Sequence, residues 1–379
     1  MIDLQSRESD DEELAMFREM GRRFMANELE PNIERFEQEG ISDCEFWRKA
    51  GQTGLLCPQV PVAYGGPSLD FRYNAVVAEE LAYAGSAIAI GVHSDITPDY
   101  LIHYGSEEQK QRWLPKMVSG EVIGAIVMTE PSGGSDLARL RTTARREGDE
   151  YIVNGAKTYI SNGQLADLLF VAVRTGAEGA KGISLFLIEA SSEGLARGRN
   201  LDKIGQWSAD TSELFFEDVR VPAANLIGTE GQGFAYMMRQ MPQERLSIAL
   251  TAQGYAQRAF HEAVAFTRER QAFGKPVLDF QNTRFTLAEC QTKLQVGWAH
   301  LDWAVRRLIA GTLSASEASA AKLWHTEMLW EIVDAALQLH GGAGYMNEYP
   351  IARLWRDARV MRIYGGTSEI MKEVVGRAL

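Results

Sequence analysis

Cysteine is scarce in this sequence: Cys44, Cys57 and Cys290 are the three in 379 residues, far apart and with no CxxC spacing. That excludes a disulfide framework and a zinc ribbon, and it fits reduced thiols in a cytoplasmic setting. Basic charge is also short, with 39 Lys and Arg against 51 Asp and Glu and no Lys/Arg-rich block. Nucleic-acid binding therefore has no electrostatic footprint. No apolar run is long enough to cross a bilayer. The stretch Met1 to Glu13 is polar and acidic, without the basic start or apolar core of a signal peptide. The six histidines show no ligand spacing such as HxxxH, so no metal is expected. A GxGxxG fingerprint between strand and helix is missing as well, so the residue pattern by itself proposes no dinucleotide.

What is present has a changing period. Leu14, Phe17, Met20 and Phe24 share one helical face, and Pro31 ends that pattern. Phe71 to Ala84 reads as a second helix with Val76, Val77 and Leu81 inward, and Ser106-Glu107-Glu108-Gln109 is a capping box. After Gly120 the pattern turns to strands: Glu121 to Met128, Tyr151 to Val153, Leu168 to Val173, Gly182 to Ile188 and Leu214 to Val221. Turns such as Glu147-Gly148-Asp149-Glu150 separate them. From Gly233 onward long helices return. Pro242 suits a first helical position in a helix running to Glu269; Thr283 to Leu308 and Glu317 to Leu339 follow, with stops at Gly311 and Gly341. The reading is α+β in three regions: an N-terminal helical domain over 1–119, a small antiparallel sheet or barrel over 120–228, and a C-terminal helical bundle over 229–379.

Chemistry first suggests itself at Ile126-Val127-Met128-Thr129-Glu130-Pro131-Ser132-Gly133-Gly134-Ser135, an apolar strand that Pro131 stops. The two glycines let a ligand approach the backbone, and Thr129 and Ser135 offer hydroxyls. Alone this stretch reads better as a Ser- and Gly-rich β-turn at the corner of a barrel. Further blocks follow: Lys157-Thr158-Tyr159-Ile160-Ser161-Asn162-Gly163, Arg270-Gln271-Ala272-Phe273-Gly274-Lys275, Gln338-Leu339-His340-Gly341-Gly342-Ala343-Gly344 and Tyr364-Gly365-Gly366-Thr367-Ser368-Glu369.

Together, in this order and from Glu12 to Val375, these blocks resemble the acyl-CoA dehydrogenase family of flavoproteins. The resemblance implies FAD. Ile126, Met128, Thr129, Ser135, Tyr159 and Ser161 would flank the isoalloxazine. Arg270, Phe273, Gln281, Gln338, Gly341 and Gly342 would hold the ADP half, partly across a subunit boundary, with further contacts at Thr367 and Glu369. A permanent guanidinium cation and exposed backbone amides suit a pyrophosphate. The implied partners are an acyl-CoA, an electron-transferring flavoprotein and further copies of the chain in a homotetramer or dimer.

The most informative feature is again an absence. Many family members carry the catalytic carboxylate in a Tyr-Glu-Gly-Thr block, and here the second position is Gly365. Met241-Pro242-Gln243-Glu244-Arg245-Leu246 resembles the alternative placement of the long-chain and isovaleryl-CoA branches. Glu244 is thus the expected base for an acyl thioester Cα–H, while flavin N5 takes the β-hydride and trans-2-enoyl-CoA forms. The Gly365 N–H and a ribityl hydroxyl would hold the thioester oxygen. Ser135, Gln243, Arg245 and Gly366 are expected on CoA or the thioester arm. Taken singly, Glu244 reads as a first-turn carboxylate that complements a helix dipole. Two other functions share the fold: an acyl-CoA oxidase or flavin monooxygenase using O₂, and a non-catalytic acyl-CoA-binding relative acting in assembly.

Overall fold

The computed structural model describes residues 11–379; the acidic start from Met1 to Asp10 lies outside them. The first region is helical: α1 Glu12–Phe24, α2 Ile33–Glu39, α3 Cys44–Gln52, α4 Phe71–Tyr83, α5 Thr97–Tyr104 and α6 Glu107–Val118. Side-chain caps start several of these helices. Asp11, Asp43 and Asp70 accept backbone N–H groups at the starts of α1, α3 and α4. The Ser106–Gln109 capping box forms at α6. A π-turn over Val92–Ile96 leads into α5. Phe36, Trp47, Leu55, Tyr100 and Leu114 fill the core between these helices.

A seven-stranded sheet follows: β1 Gly124–Val127, β2 Thr143–Glu147, β3 Glu150–Ser161, β4 Leu168–Arg174, β5 Ile183–Glu189, β6 Leu195–Asn200 and β7 Thr211–Pro222. The strand order is β1-β4-β2-β3-β7-β6, with β5 paired to β4. β2 and β6 carry little apolar sequence, which is why their patterns announce no strand; Thr143–Glu147 exposes four of five residues. The Glu147-to-Glu150 turn closes the β2–β3 hairpin as its sequence implies. Most pairings are antiparallel, but β1 runs parallel to β4 from Gly124↔Leu168 to Val127↔Val171. β4 is buried on both faces: Leu168, Phe170 and Ala172 enter the helical core, whereas Leu169, Val171 and Val173 enter the sheet's own core. Burial on both faces explains its continuous apolar run.

The third region is built on α7, Gly233–Glu269, with α8 Gln281–Ile309, α9 Ala315–His340, α10 Pro350–Ala358 and α11 Ser368–Gly376. A hairpin of β8 Gln271–Ala272 and β9 Lys275–Pro276 joins α7 to α8. At 1.5 Å per residue α7 is about 55 Å long. Gly233 abuts the backbone of Ser184 and Leu185 on β5, and Gly254 lies against Glu79 and Ala82 of α4. Pro242 is inside this helix, not at its first position. The expected first-turn placement of Glu244 is thereby corrected: it sits in the helix interior, away from the N-terminal dipole. Among the described residues no helix is long and apolar enough to cross a membrane.

Candidate active site

Three regions converge on the segment from His93 to Tyr104. His93 is fully buried, and burial holds its imidazole down at about 4, so it is neutral. Its Nδ1 accepts the Gly124 N–H at 3.0 Å while Nε2 faces the Met117 carbonyl, which ties the start of β1 to the helices. Seven residues on, the Tyr100 hydroxyl donates to Glu244 Oε1 at 3.0 Å, which ties the same segment to α7.

The β1 end and the C-terminal part of β3 form one wall. Thr158 N–H donates to the Thr129 carbonyl at 3.0 Å. Register slips between Lys157 and Ile160, and at that bulge Tyr159 takes φ +59. A bulge re-aims a side chain and a left-handed tyrosine is strained, a combination that clusters at functional sites. Tyr159 ends 69% exposed, with its ring presented outward. Beneath it, Lys157 Nζ donates to the Met128 carbonyl at 3.0 Å and to Glu130 Oε1 at 2.9 Å. Glu130 also accepts the N–H groups of Arg141 and Thr142, so one buried ion pair fixes the strand end and the loop after it. Burial pushes Lys157 down to about 8, and Glu130 opposes that. Ile126 and Met128 lie on β1 and just after it, Ser161 closes β3, and Ser135 is exposed on the glycine loop. Lys157 lies in the Lys157–Gly163 block, but nothing in the sequence pairs it with Glu130.

Glu244 is 9% exposed. Burial pushes its carboxyl up from the usual 4.5 to about 7; Tyr100 and Arg245 pull it down, and Asp99 pushes it further up. Desolvation therefore prevails over the adjacent cation before any substrate arrives. Two further carboxyls are buried beside it. Gln243 Nε2 donates to Asp95 Oδ1 at 2.8 Å and to Asp99 Oδ2 at 2.7 Å, and Gln59 donates to Asp99 Oδ1 at 3.1 Å. The Ser247 hydroxyl donates to Asp95 as well. Burial raises both aspartates, Asp95 to about 7. Gln243, expected on the substrate arm, thus has its amide turned to the two aspartates. Asp95, Asp99 and Tyr100 belong to no sequence motif; only their nearness in space to α7 exposes them.

Gly365, where the Tyr364–Thr367 block has no carboxylate, packs against the helix that carries Glu244. Its φ is +65, and a Cβ there would collide with Ile248 Cδ1, one turn beyond Glu244 on α7. The helix that presents Glu244 also fills the space that a side chain at 365 would enter. Gly366 has φ +100, and a Cβ on it would lie 3.8 Å from Arg245 Nη2. Lys322 Nζ, fully buried on α9, donates to the Gly366 carbonyl at 2.7 Å and so orients the loop. Arg245 Nη1 donates to Ser319 at 2.9 Å, while its buried Nε has no hydrogen-bond partner among the described residues. Thr367 Oγ accepts the Ile370 N–H at 3.3 Å and caps α11, with Glu369 exposed in its first turn.

Arg270, Phe273, Gln281, Gln338, Gly341 and Gly342 form a separate set, and all of them are exposed. Phe273 and Gly274 are the turn of the β8–β9 hairpin with φ +50 and +81, the two-residue geometry that favours Asn-Gly. A phenylalanine held there is 97% exposed. Around Gly341 and Gly342 no atom of the described residues would meet an added Cβ within 4 Å.

Residues 11–121, 125–219 and 231–379 match, in turn, the descriptions "Acyl-CoA dehydrogenase, N-terminal domain", "middle domain" and "C-terminal domain". The chain belongs to the acyl-CoA dehydrogenase family. It is 44% identical to the mitochondrial long-chain specific acyl-CoA dehydrogenase of Sus scrofa over 368 residues, covering 96% of this chain and 86% of that one. The crystal structure of an acyl-CoA dehydrogenase from Geobacillus kaustophilus superposes with a TM-score of 0.96 at 47% identity, covering 98% of this chain and 99% of that one. A glutaryl-CoA dehydrogenase from Mycobacterium smegmatis, solved in complex with FADH2, superposes with a TM-score of 0.92 at 29% identity, covering 97% of this chain and 95% of that one. The helix–sheet–helix organisation and the α+β class read from the sequence are those of the acyl-CoA dehydrogenase fold. Its sheet differs from the expected antiparallel one only in the parallel β1–β4 pair and the single β2–β4 contact.

Proposed function

We propose that this family member is an FAD-dependent dehydrogenase that converts a saturated acyl-CoA thioester into trans-2-enoyl-CoA, with Glu244 as the base. The observation that carries the reading is the pairing of a buried carboxyl at 244 with a glycine at 365 whose side-chain space is filled from the same helix. The residues fit the cofactor. An outward-facing tyrosine on a strained bulge suits a flat ring system. Open space over Gly341 and Gly342 and the exposed Arg270 suit a pyrophosphate. Ile126, Met128, Thr129, Ser135 and Ser161 complete the ring side of this assignment. Phe273, Gln281, Gln338, Thr367 and Glu369 complete the nucleotide side. When bound, FAD supplies the acceptor for the β-hydride at N5.

Glu244 takes the α-proton. A carboxyl poised at about 7 is matched to that task near neutral pH, because both its protonation states are accessible. The Gly365 N–H faces the developing thioester oxyanion, and Lys322 fixes the peptide of the loop that presents it. Arg245, Ser135 and Gly366 are assigned to the CoA arm, and the buried Arg245 Nε, which has no hydrogen-bond partner among the described residues, supports that assignment. We assign Gln243 to bridging α5 and α7. An electron-transferring flavoprotein is the proposed electron acceptor, a homotetramer or dimer the proposed assembly, and 1–119, 120–228 and 229–379 the proposed domain units.

The test is anaerobic spectroscopy with short, branched, medium and long acyl-CoAs. Bleaching of the flavin band by some of them, reduced about 10²- to 10⁴-fold in rate by Glu244→Gln with FAD still bound, is the expected result. Full activity of Glu244→Gln overturns the assignment of the base. Rapid reoxidation by air would move the protein to the O₂-using functions.

A further inference from the structure

We propose that Tyr100 is the positioning residue of the base: its hydroxyl ties down one oxygen of Glu244 and leaves the other directed at the substrate proton. This rests on Glu244 being the base. Three observations carry it. Tyr100 is fully buried and its hydroxyl donates to Glu244 Oε1 at 3.0 Å. Its helix is held on the far side by Gln59 and on the near side by Gln243 of α7, both through Asp99. The same segment anchors β1 through His93, so the hydroxyl is referenced to the strand that carries Ile126 and leads to Thr129.

The surroundings explain why such a tie is needed. Asp95 and Asp99 face Glu244 from the 92–104 segment, and His103 in turn acts on Asp99. Arg245 neighbours Glu244 on α7, and Lys322 of α9 faces Arg245. Tyr104 lies beside Tyr100. Two carboxyls near a third repel its ionised form and would turn it away from α5. A phenol donates to an ionised carboxylate and opposes that repulsion. Tyr100 and Asp99 therefore act on Glu244 in opposite directions, from adjacent positions on one helix.

The experiment titrates Glu244 directly, with no acyl-CoA present. pH-dependent infrared difference spectra of the purified holoprotein show carboxylic C=O bands, and the one lost in Glu244→Gln belongs to Glu244. In Tyr100→Phe its midpoint should rise by about one pH unit, as expected for loss of one hydrogen bond to a charged group. In Asp99→Asn it should fall. An unchanged or lower midpoint in Tyr100→Phe overturns the proposal. If that variant does not fold, ring-¹³C-tyrosine in the unsubstituted chain serves instead. A tyrosine C–O band must move at the pH at which the Glu244 band titrates, and its failure to do so equally overturns the proposal. A chain that no acyl-CoA bleaches would count against the dehydrogenase, while these midpoints would still be read.

Discussion

Replacing Glu244 by Gln should make the protein more stable, and only above the acid range. The sign follows from the direction of the shift. Burial raises the Glu244 carboxyl from 4.5 to about 7, so between those values the folded chain holds a proton that the unfolded chain has released. Stability then falls as pH rises through that window, at about 1.4 kcal/mol per pH unit. Above pH 7 the full penalty is about 3 kcal/mol; below pH 4.5 it vanishes. Glutamine is nearly isosteric, carries no charge, and still offers an oxygen to the Tyr100 hydroxyl. The variant should therefore match the parent near pH 4.5, gain as pH increases, and reach a plateau by pH 8. Urea unfolding of both proteins at pH 5, 6, 7 and 8 reads this. The difference in midpoint is the quantity to compare, since a chain with several cores need not unfold in two states. A difference that is flat with pH, or that favours the parent at pH 8, would refute an ionised, desolvated Glu244. Under the proposed role of Glu244 as base the same variant loses the chemistry, so the prediction amounts to stability gained at the cost of function.

Other substitutions test other parts of the site. Lys157→Met strands Glu130 without its buried cation, which should destabilise the protein by about 3–5 kcal/mol and lower its FAD content; thermal unfolding and the flavin-to-protein absorbance ratio report both. Gly365→Ala should cost about 1–2 kcal/mol for the left-handed backbone alone, and more while Ile248 stays in place. With Ile248→Ala added, the combined loss of stability should be smaller than the sum of the two single losses, and strict additivity of the two changes would contradict the collision. Phe273→Gly should leave chain stability within about 1 kcal/mol or raise it, because glycine suits the turn. Sedimentation and FAD retention should nevertheless fall if the exposed ring meets another subunit.

How far the sequence could be read depended on whether the signal was local. The capping box at Ser106, the hairpin turn at Gly148 and the long helices after Gly233 are set by neighbours within a few residues, and they stand where their patterns put them. Pro242 misled because a local rule, proline at a helix start, lost to tertiary packing: α7 is pinned against β5 at Gly233 well before it reaches the proline. The weak strands β2 and β6 were illegible because a sheet can recruit a polar segment by backbone pairing alone. Glu244 was visible only as half of a pair, from a carboxylate missing at 365, and the structure supplies the physical link, Ile248 occupying the absent side chain's space. What governs that carboxylate was not visible at all. Tyr100 is 144 residues away in sequence. Its hydroxyl, the two aspartates and Lys322 act through distances that no spacing encodes. The candidate for the base was therefore legible, and its proton affinity was not, because the first is a matter of residue type and the second of burial and charge brought together by folding.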